Sequence, residues 1–235
     1  MSQGVDAAAG VLAGRHVLVT AGPTWEDIDP VRFIGNRSSG RMGFAVAAAA
    51  RAAGAGVTLV AGPVALQAPD GVQRVDVRSA AQMHEAVMAA LPADVYVGAA
   101  AVADFRPASV AAQKIKKQPG GDGLVLELVR TRDILAEVAV HPSRPALVVG
   151  FAAETIDLEA NAQAKLRGKK LDLVCANRVG IAGSGFESAD NTLEVYWDGG
   201  HQRLGPGPKT TIAMELLGLV AARLAPLPGP SPRSR

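Results

Sequence analysis

The sequence predicts an α/β fold, a Rossmann-like, mostly parallel sheet with helices on both faces and small antiparallel β additions, on the strength of three observations. Strand-like runs recur at 16–20 (HVLVT), 57–61 (VTLVA), 94–99 (DVYVGA), 146–151 (ALVVGF) and 171–176 (LDLVCA). Helical patterns at 41–53, 80–91 and 157–168 lie between them, and this alternation is the mark of parallel strands joined by helical crossovers. Two further β-rich runs, 124–130 and 192–197, sit among glycines and suit antiparallel additions. In such a sheet ligands gather beyond the carboxyl ends of the strands.

The first strand is followed by about 17 residues, 21–37, without clear periodicity, well beyond an ordinary βα connection and of the kind that tends to be functional. It carries Gly22-Pro23-Thr24-Trp25-Glu26 and then Asp29-Pro30-Val31-Arg32, so a substrate is expected to reach both of its ends. It runs into Ile34-Gly35-Asn36-Arg37-Ser38-Ser39-Gly40-Arg41-Met42-Gly43-Phe44-Ala45 at the start of the first helix. Serine hydroxyls and glycine-exposed amides at a helix N-terminus place donors, and the positive end of the helix dipole, where phosphate can sit. The spacing matches no standard nucleotide fingerprint: Arg41-Met42 stands where a Walker loop needs Lys-Ser/Thr, and no strict GxGxxG follows the strand. A plain turn with serine as the N-cap is the structural alternative.

Beyond the third strand comes Gly98-Ala99-Ala100-Ala101-Val102-Ala103-Asp104-Phe105. Small residues there admit a ligand to the backbone. Asp104 suits a metal carried on phosphates, or a base or sugar donor, with a cap as its structural role. Lys114, Lys116 and Lys117 flank Ile115 ahead of the turn-forming 119–123 (PGGDG) and read as a basic flap able to neutralise polyphosphate charge, against an ordinary solvated run. Phe151, where the fourth strand gives way to a helix, can stack on a base; Lys165 and Lys169 share a helical face.

At 235 residues and 49% hydrophobic content the chain can bury a large core, and one domain is expected at 15–224, with a disordered N-terminal segment at 1–14 and a disordered tail at 225–235 holding four prolines. A net charge of +2 argues against nucleic-acid or membrane-surface partners. The first residues lack the basic region of a secretory signal, and no apolar run is long enough to span a bilayer. The single cysteine excludes an intrachain disulfide and points to the cytoplasm; Cys175, in a strand-like run, reads as packing. His16, His84, His141 and His201 show no metal-ligand spacing, which counts against zinc and hydrolytic chemistry.

Taken together, AGPTWEDIDPVRFIGNRSSGRMGFA at 21–45, AAAVADFRPA at 99–108, KIKKQ at 114–118, GFAAET at 150–155, LDLVCAN at 171–177 and GFESADN at 185–191 resemble the phosphopantothenoylcysteine synthetase family, the CTP-dependent ligase part of the bacterial bifunctional coenzyme A biosynthesis protein. The resemblance implies a two-step ligation of 4′-phosphopantothenate to L-cysteine through an acyl-cytidylate, with CTP as co-substrate, Mg²⁺, and no flavin. It implies catalytic roles for Asn36 and Lys114, and substrate contacts at Arg32, Asn36 and Ala101. It implies nucleotide contacts at Gly22, Ser38, Ser39, Gly40, Ala100, Asp104, Lys114, Asp133, Phe151, Lys165 and Lys169, with Asp104 also toward the metal. Thr131-Arg132-Asp133-Ile134 departs from the family, which often has proline before Asp-Ile. A homodimer, and a decarboxylase as a separate chain, are the partners it implies. The competing readings are an NAD-dependent oxidoreductase, weakened by the missing glycine fingerprint, and a non-catalytic nucleotide-binding module, weakened by the lysine flap.

Overall fold

The computed structural model describes residues 10–117, 123–178 and 190–224. Along the chain the elements are β1 (His16–Ala21), β2 (Trp25–Asp27), β3 (Phe33–Gly35), α1 (Arg41–Ala52), β4 (Gly56–Ala61), β5 (Gln73–Asp76), α2 (Ala80–Ala89), β6 (Val95–Gly98), β7 (Phe105–Pro107), β8 (Leu128–Arg130), α3 (Ile134–Ala139), β9 (Leu147–Glu154), α4 (Leu158–Gly168), β10 (Leu173–Arg178), β11 (Asp190–Trp197), β12 (Gly200–Pro208) and α5 (Lys209–Ala221). An eight-stranded sheet runs in the order β12-β11-β10-β9-β6-β1-β4-β5. Six of its strands are parallel, and β11 and β12 close one edge antiparallel, so the fold class is the one the alternating pattern predicts.

The period of two along each strand divides the core. Val17, Val19, Val57, Leu59, Val95 and Val97 pack with Phe44, Val46, Ile212 and Leu216 of α1 and α5 on one face. Leu18, Val60, Tyr96, Val148 and Val174 pack with Met83, Val87, Val138 and Leu166 of α2, α3 and α4 on the other. Helix α1 lies closest to the sheet at Gly43. A Cβ on Gly43 would stand 2.5 Å from the Ala21 Cβ, which fixes glycine at that point of contact.

Several elements depart from the sequence reading. The stretch 21–37 holds a small antiparallel ladder, β2–β3, in which Trp25 stacks on Phe33 at 4.1 Å between centroids. That ladder is fixed to the start of α2: Glu26, a buried carboxylate, accepts from the Ala80 N–H at 2.8 Å, and Arg78 pairs with Asp27 at 2.7 Å. Of the run 124–130 only β8 is a strand, and it pairs with β7 outside the main sheet. Residues 10–14, expected to be disordered with the rest of 1–14, form a turn whose Leu12 is wholly buried and donates its N–H to the Ala53 carbonyl at 2.9 Å. The disorder expected at 1–9 and 225–235, and the turn at 119–122, lie outside the described residues. Among the described residues no helix is long and apolar enough to cross a membrane. Cys175 is buried in β10, and burial pushes its thiol pKa well up, as befits a packing residue.

Candidate active site

A cavity of about 770 Å³ opens beyond the carboxyl ends of β1, β6 and β9, where the parallel sheet places ligands. On one wall α1 begins. Its N-cap is Gly40, held at φ 75° with no side chain capping the helix, and the positive end of the α1 dipole lies at the cavity wall. The sequence-level alternative of a serine N-cap is therefore corrected: Ser38 Oγ accepts from the Gly40 N–H at 3.3 Å, ahead of the helix. Left-handed φ selects glycine at 40, and a Cβ there would also press on Val64 at 3.1 Å.

Opposite stand the lysines of α4. Lys165 donates to the Phe151 carbonyl at 2.6 Å, and Lys169, just past the helix, pairs with Asp133 at 2.6 Å. Asp133 in turn caps α3, accepting from the Ala136 N–H at 3.1 Å. Burial holds the Lys165 pKa below the ordinary lysine value, with the neighbouring Lys169 cation adding to the effect. Between the two walls Asn36 donates through its side-chain amide to the carbonyls of Ala101 at 2.9 Å and Val102 at 3.2 Å, joining the end of the long loop to the loop after β6.

The structure thus brings together Asn36, Ser38, Ser39 and Gly40 from one side with Ala100, Ala101 and Asp104 from the strand end. Asp133, Phe151, Lys165 and Lys169 complete the set on the far side. Three expected residues are not on the cavity wall. Gly22, at φ 80°, lies so near Gly40 that a Cβ on Gly40 would stand 3.4 Å from the Gly22 Cα. Arg32 is bound to Asp29 and to the Ile115 carbonyl. Lys114 is exposed on the segment that Arg32 holds. Most of the 185–191 motif lies outside the described residues.

The sequence reading missed Lys209, the first residue of α5, which is buried on the cavity wall with Arg41. Burial lowers the Lys209 pKa and the Arg41 charge lowers it further, so two cations meet at the N-termini of α1 and α5. Arg130, Asn177 and Asn191 also line the cavity. As for a metal, no group of three or more His, Cys, Asp or Glu side chains converges among the described residues. A Mg²⁺ carried on phosphate needs only one or two carboxylates, and Asp104 on the wall fits that requirement.

Residues 12–224 match the DNA/pantothenate metabolism flavoprotein C-terminal domain. The chain belongs to this family. It is 50% identical over 211 residues to the coenzyme A biosynthesis bifunctional protein CoaBC of Vibrio cholerae, a match covering 89% of the chain and 53% of that protein. To the Bacillus subtilis protein of the same name it is 47% identical over 214 residues, 90% of the chain and 52% of the relative. The chain therefore spans about half the length of the curated relatives it matches. The crystal structure of the C-terminal domain of a CoaBC protein superposes with a TM-score of 0.77 at 39% identity, covering 91% of this chain and 97% of that one. The family membership read from the ordered motifs is borne out, and so is the mostly parallel α/β fold.

Proposed function

We propose that this chain ligates 4′-phosphopantothenate to L-cysteine in coenzyme A biosynthesis, through an acyl-cytidylate formed from CTP. The observation that carries the reading is one cavity with an uncapped helix N-terminus and Arg41 and Lys209 on one wall, the Lys165–Lys169–Asp133 group on the other, and Asn36 between them. Relatives named for coenzyme A biosynthesis, with which the chain shares about half its residues, support it.

Carboxylate and amine do not condense readily in water, so the carboxylate must first gain a leaving group. In the first step a carboxylate oxygen of phosphopantothenate attacks the α-phosphorus of CTP and the bond to pyrophosphate breaks. In the second the cysteine amine attacks the acyl carbon, and CMP departs with the bridging oxygen as the amide forms and a proton is lost from nitrogen. Each step gathers anionic groups, and placement and charge neutralisation are what a protein can supply. The α1 N-terminus with Arg41 and Lys209 serves the phosphates, and Lys165 and Lys169 with Phe151 serve the nucleoside. Asp104 would hold a Mg²⁺ carried on the triphosphate, where the ion would neutralise phosphate charge. Asn36, held against residues 101–102, orients the acyl group. Lys114 neutralises charge developing in the first step. No step calls for a flavin.

Pyrophosphate release tests the reading directly. It should require CTP and phosphopantothenate together, with amide and CMP appearing only when cysteine is added. CTP should exceed ATP in kcat/KM, because donors fitted to the cytosine O2 and N3 acceptors go unpaired against the larger adenine. Pyrophosphate release that ignores phosphopantothenate would contradict the ligase.

A further inference from the structure

Outside the cavity, the Asp29 side chain, buried in the long loop between β2 and β3, accepts five hydrogen bonds. Its Oδ1 accepts the N–H groups of Val31 and Arg32, each at 2.8 Å. Its Oδ2 accepts from Arg32 Nε at 3.1 Å, from Arg32 Nη2 at 2.5 Å and from the Ile115 N–H at 3.1 Å. Arg32 Nη2 also donates to the Ile115 carbonyl at 2.9 Å. Both backbone polar groups of Ile115 are therefore taken by one ion pair, much as a neighbouring strand would take them. The Ala111 N–H donates to the Ile28 carbonyl at 3.0 Å, a second tie four residues earlier. Ile115 is half-buried while Lys114 and Lys116 on either side of it are exposed.

We infer that Asp29 and Arg32 form a clasp on Ile115, and that Arg32 is a positioning residue for Lys114 and not a phosphopantothenate contact. A lysine on a free loop spreads its charge over many positions, whereas one whose neighbour is bonded through both N–H and C=O works from a fixed root. Arg32 suits the task because its fork spans the carboxylate and a carbonyl at once, which a single ammonium does with poorer geometry. Arg32 also holds the Asp29 carboxyl well below the usual carboxylate range, so the clasp stays charged at neutral pH. The inference rests on the ligase reading for what Lys114 does, but not for the clasp itself.

A double-mutant cycle tests the kinetic half in the full chain. Arg32→Ala should slow pyrophosphate release about 10²-fold in kcat. In a Lys114→Gln background the same change should cost no more than about twofold, because the effect it carries is already gone. Multiplicative losses, or a rise in KM for phosphopantothenate with kcat unchanged, would make Arg32 a substrate ligand and overturn the inference. Hydrogen exchange tests the structural half without any activity: protection of the Ile115 amide should fall in Arg32→Ala and persist in Lys114→Gln. Unchanged protection in Arg32→Ala removes the clasp even if the ligase is active. Lost protection in a chain with no ligase activity keeps the clasp and refutes the ligase. Arg32→Lys, which retains charge without the fork, should fall between the wild type and Arg32→Ala in both measurements.

Discussion

Both amide hydrogens of Asn36 are committed to the carbonyls of Ala101 and Val102, which leaves its side-chain oxygen as the group able to meet a substrate donor. Asn36→Asp would set a carboxylate against those two carbonyls and force the loop after β6 away from the cavity mouth. In the ligase proposed here that displacement harms the second step more than the first, since the acyl group must sit correctly for the amine. The variant should accumulate acyl-cytidylate and form amide about 10²-fold more slowly in single turnover from preformed intermediate. A normal rate from that intermediate would remove Asn36 from the role. The same scale explains why part of the site escaped a reading of the sequence. Ser38, Ser39 and Gly40 announce themselves by composition at a strand-to-helix junction, but Lys209 is an ordinary lysine after a proline–glycine stretch until β12 delivers it beside Arg41. Arg32 stands out in the sequence as a candidate site residue, but its contact with Ile115 does not, because that contact spans 83 residues.

Elements divide in the same manner. β1, β4, β6, β9 and β10 are central strands with apolar runs, so their sequences carry the signal; β5, four residues at the sheet edge, exists by pairing with β4. α5 was missed because its run IAMELLGLV is apolar nearly all round and gives no clear stripe, although Ile212, Ala213, Leu216 and Val220 prove to be fully buried. For α1 the decisive feature is closeness. Gly43→Ala would press a methyl into Ala21 and tilt the helix from the sheet, at about 1–3 kcal/mol of stability in urea unfolding. A change near zero would mean that α1 is free to shift. The long loop makes its own prediction with pH. In the unfolded chain Asp29 titrates near 3.8, while Arg32 keeps it ionised to lower pH in the native protein. Above that value the pair contributes its full stability; as pH falls below about 4 the unfolded state gains protons that the native state lacks, and stability drops. Asn at position 29 cannot titrate, so the stability gap between wild type and Asp29→Asn should shrink from about pH 5 to about pH 2.5. A constant gap would contradict the clasp's charge.

At the scale of the molecule, the antiparallel edge β11–β12 and the helix after it turn the end of the chain back toward its beginning, and Lys209 meets the cradle at the start of α1. The cavity is thereby assembled from residues spread from 20 to 209. That arrangement suits the reaction proposed above, whose two steps share one intermediate, held while pyrophosphate leaves and an amine takes its place. The proposed chemistry leaves an isotopic record. Phosphopantothenate carrying ¹⁸O in its carboxylate should hand one labelled oxygen to CMP, because the carboxylate oxygen that bonds to the α-phosphorus departs with it when the acyl carbon accepts nitrogen. Mass spectrometry of CMP after a complete reaction with CTP and cysteine should find that single label, while label in inorganic phosphate with formation of CDP, or unlabelled CMP, would contradict the acyl-cytidylate.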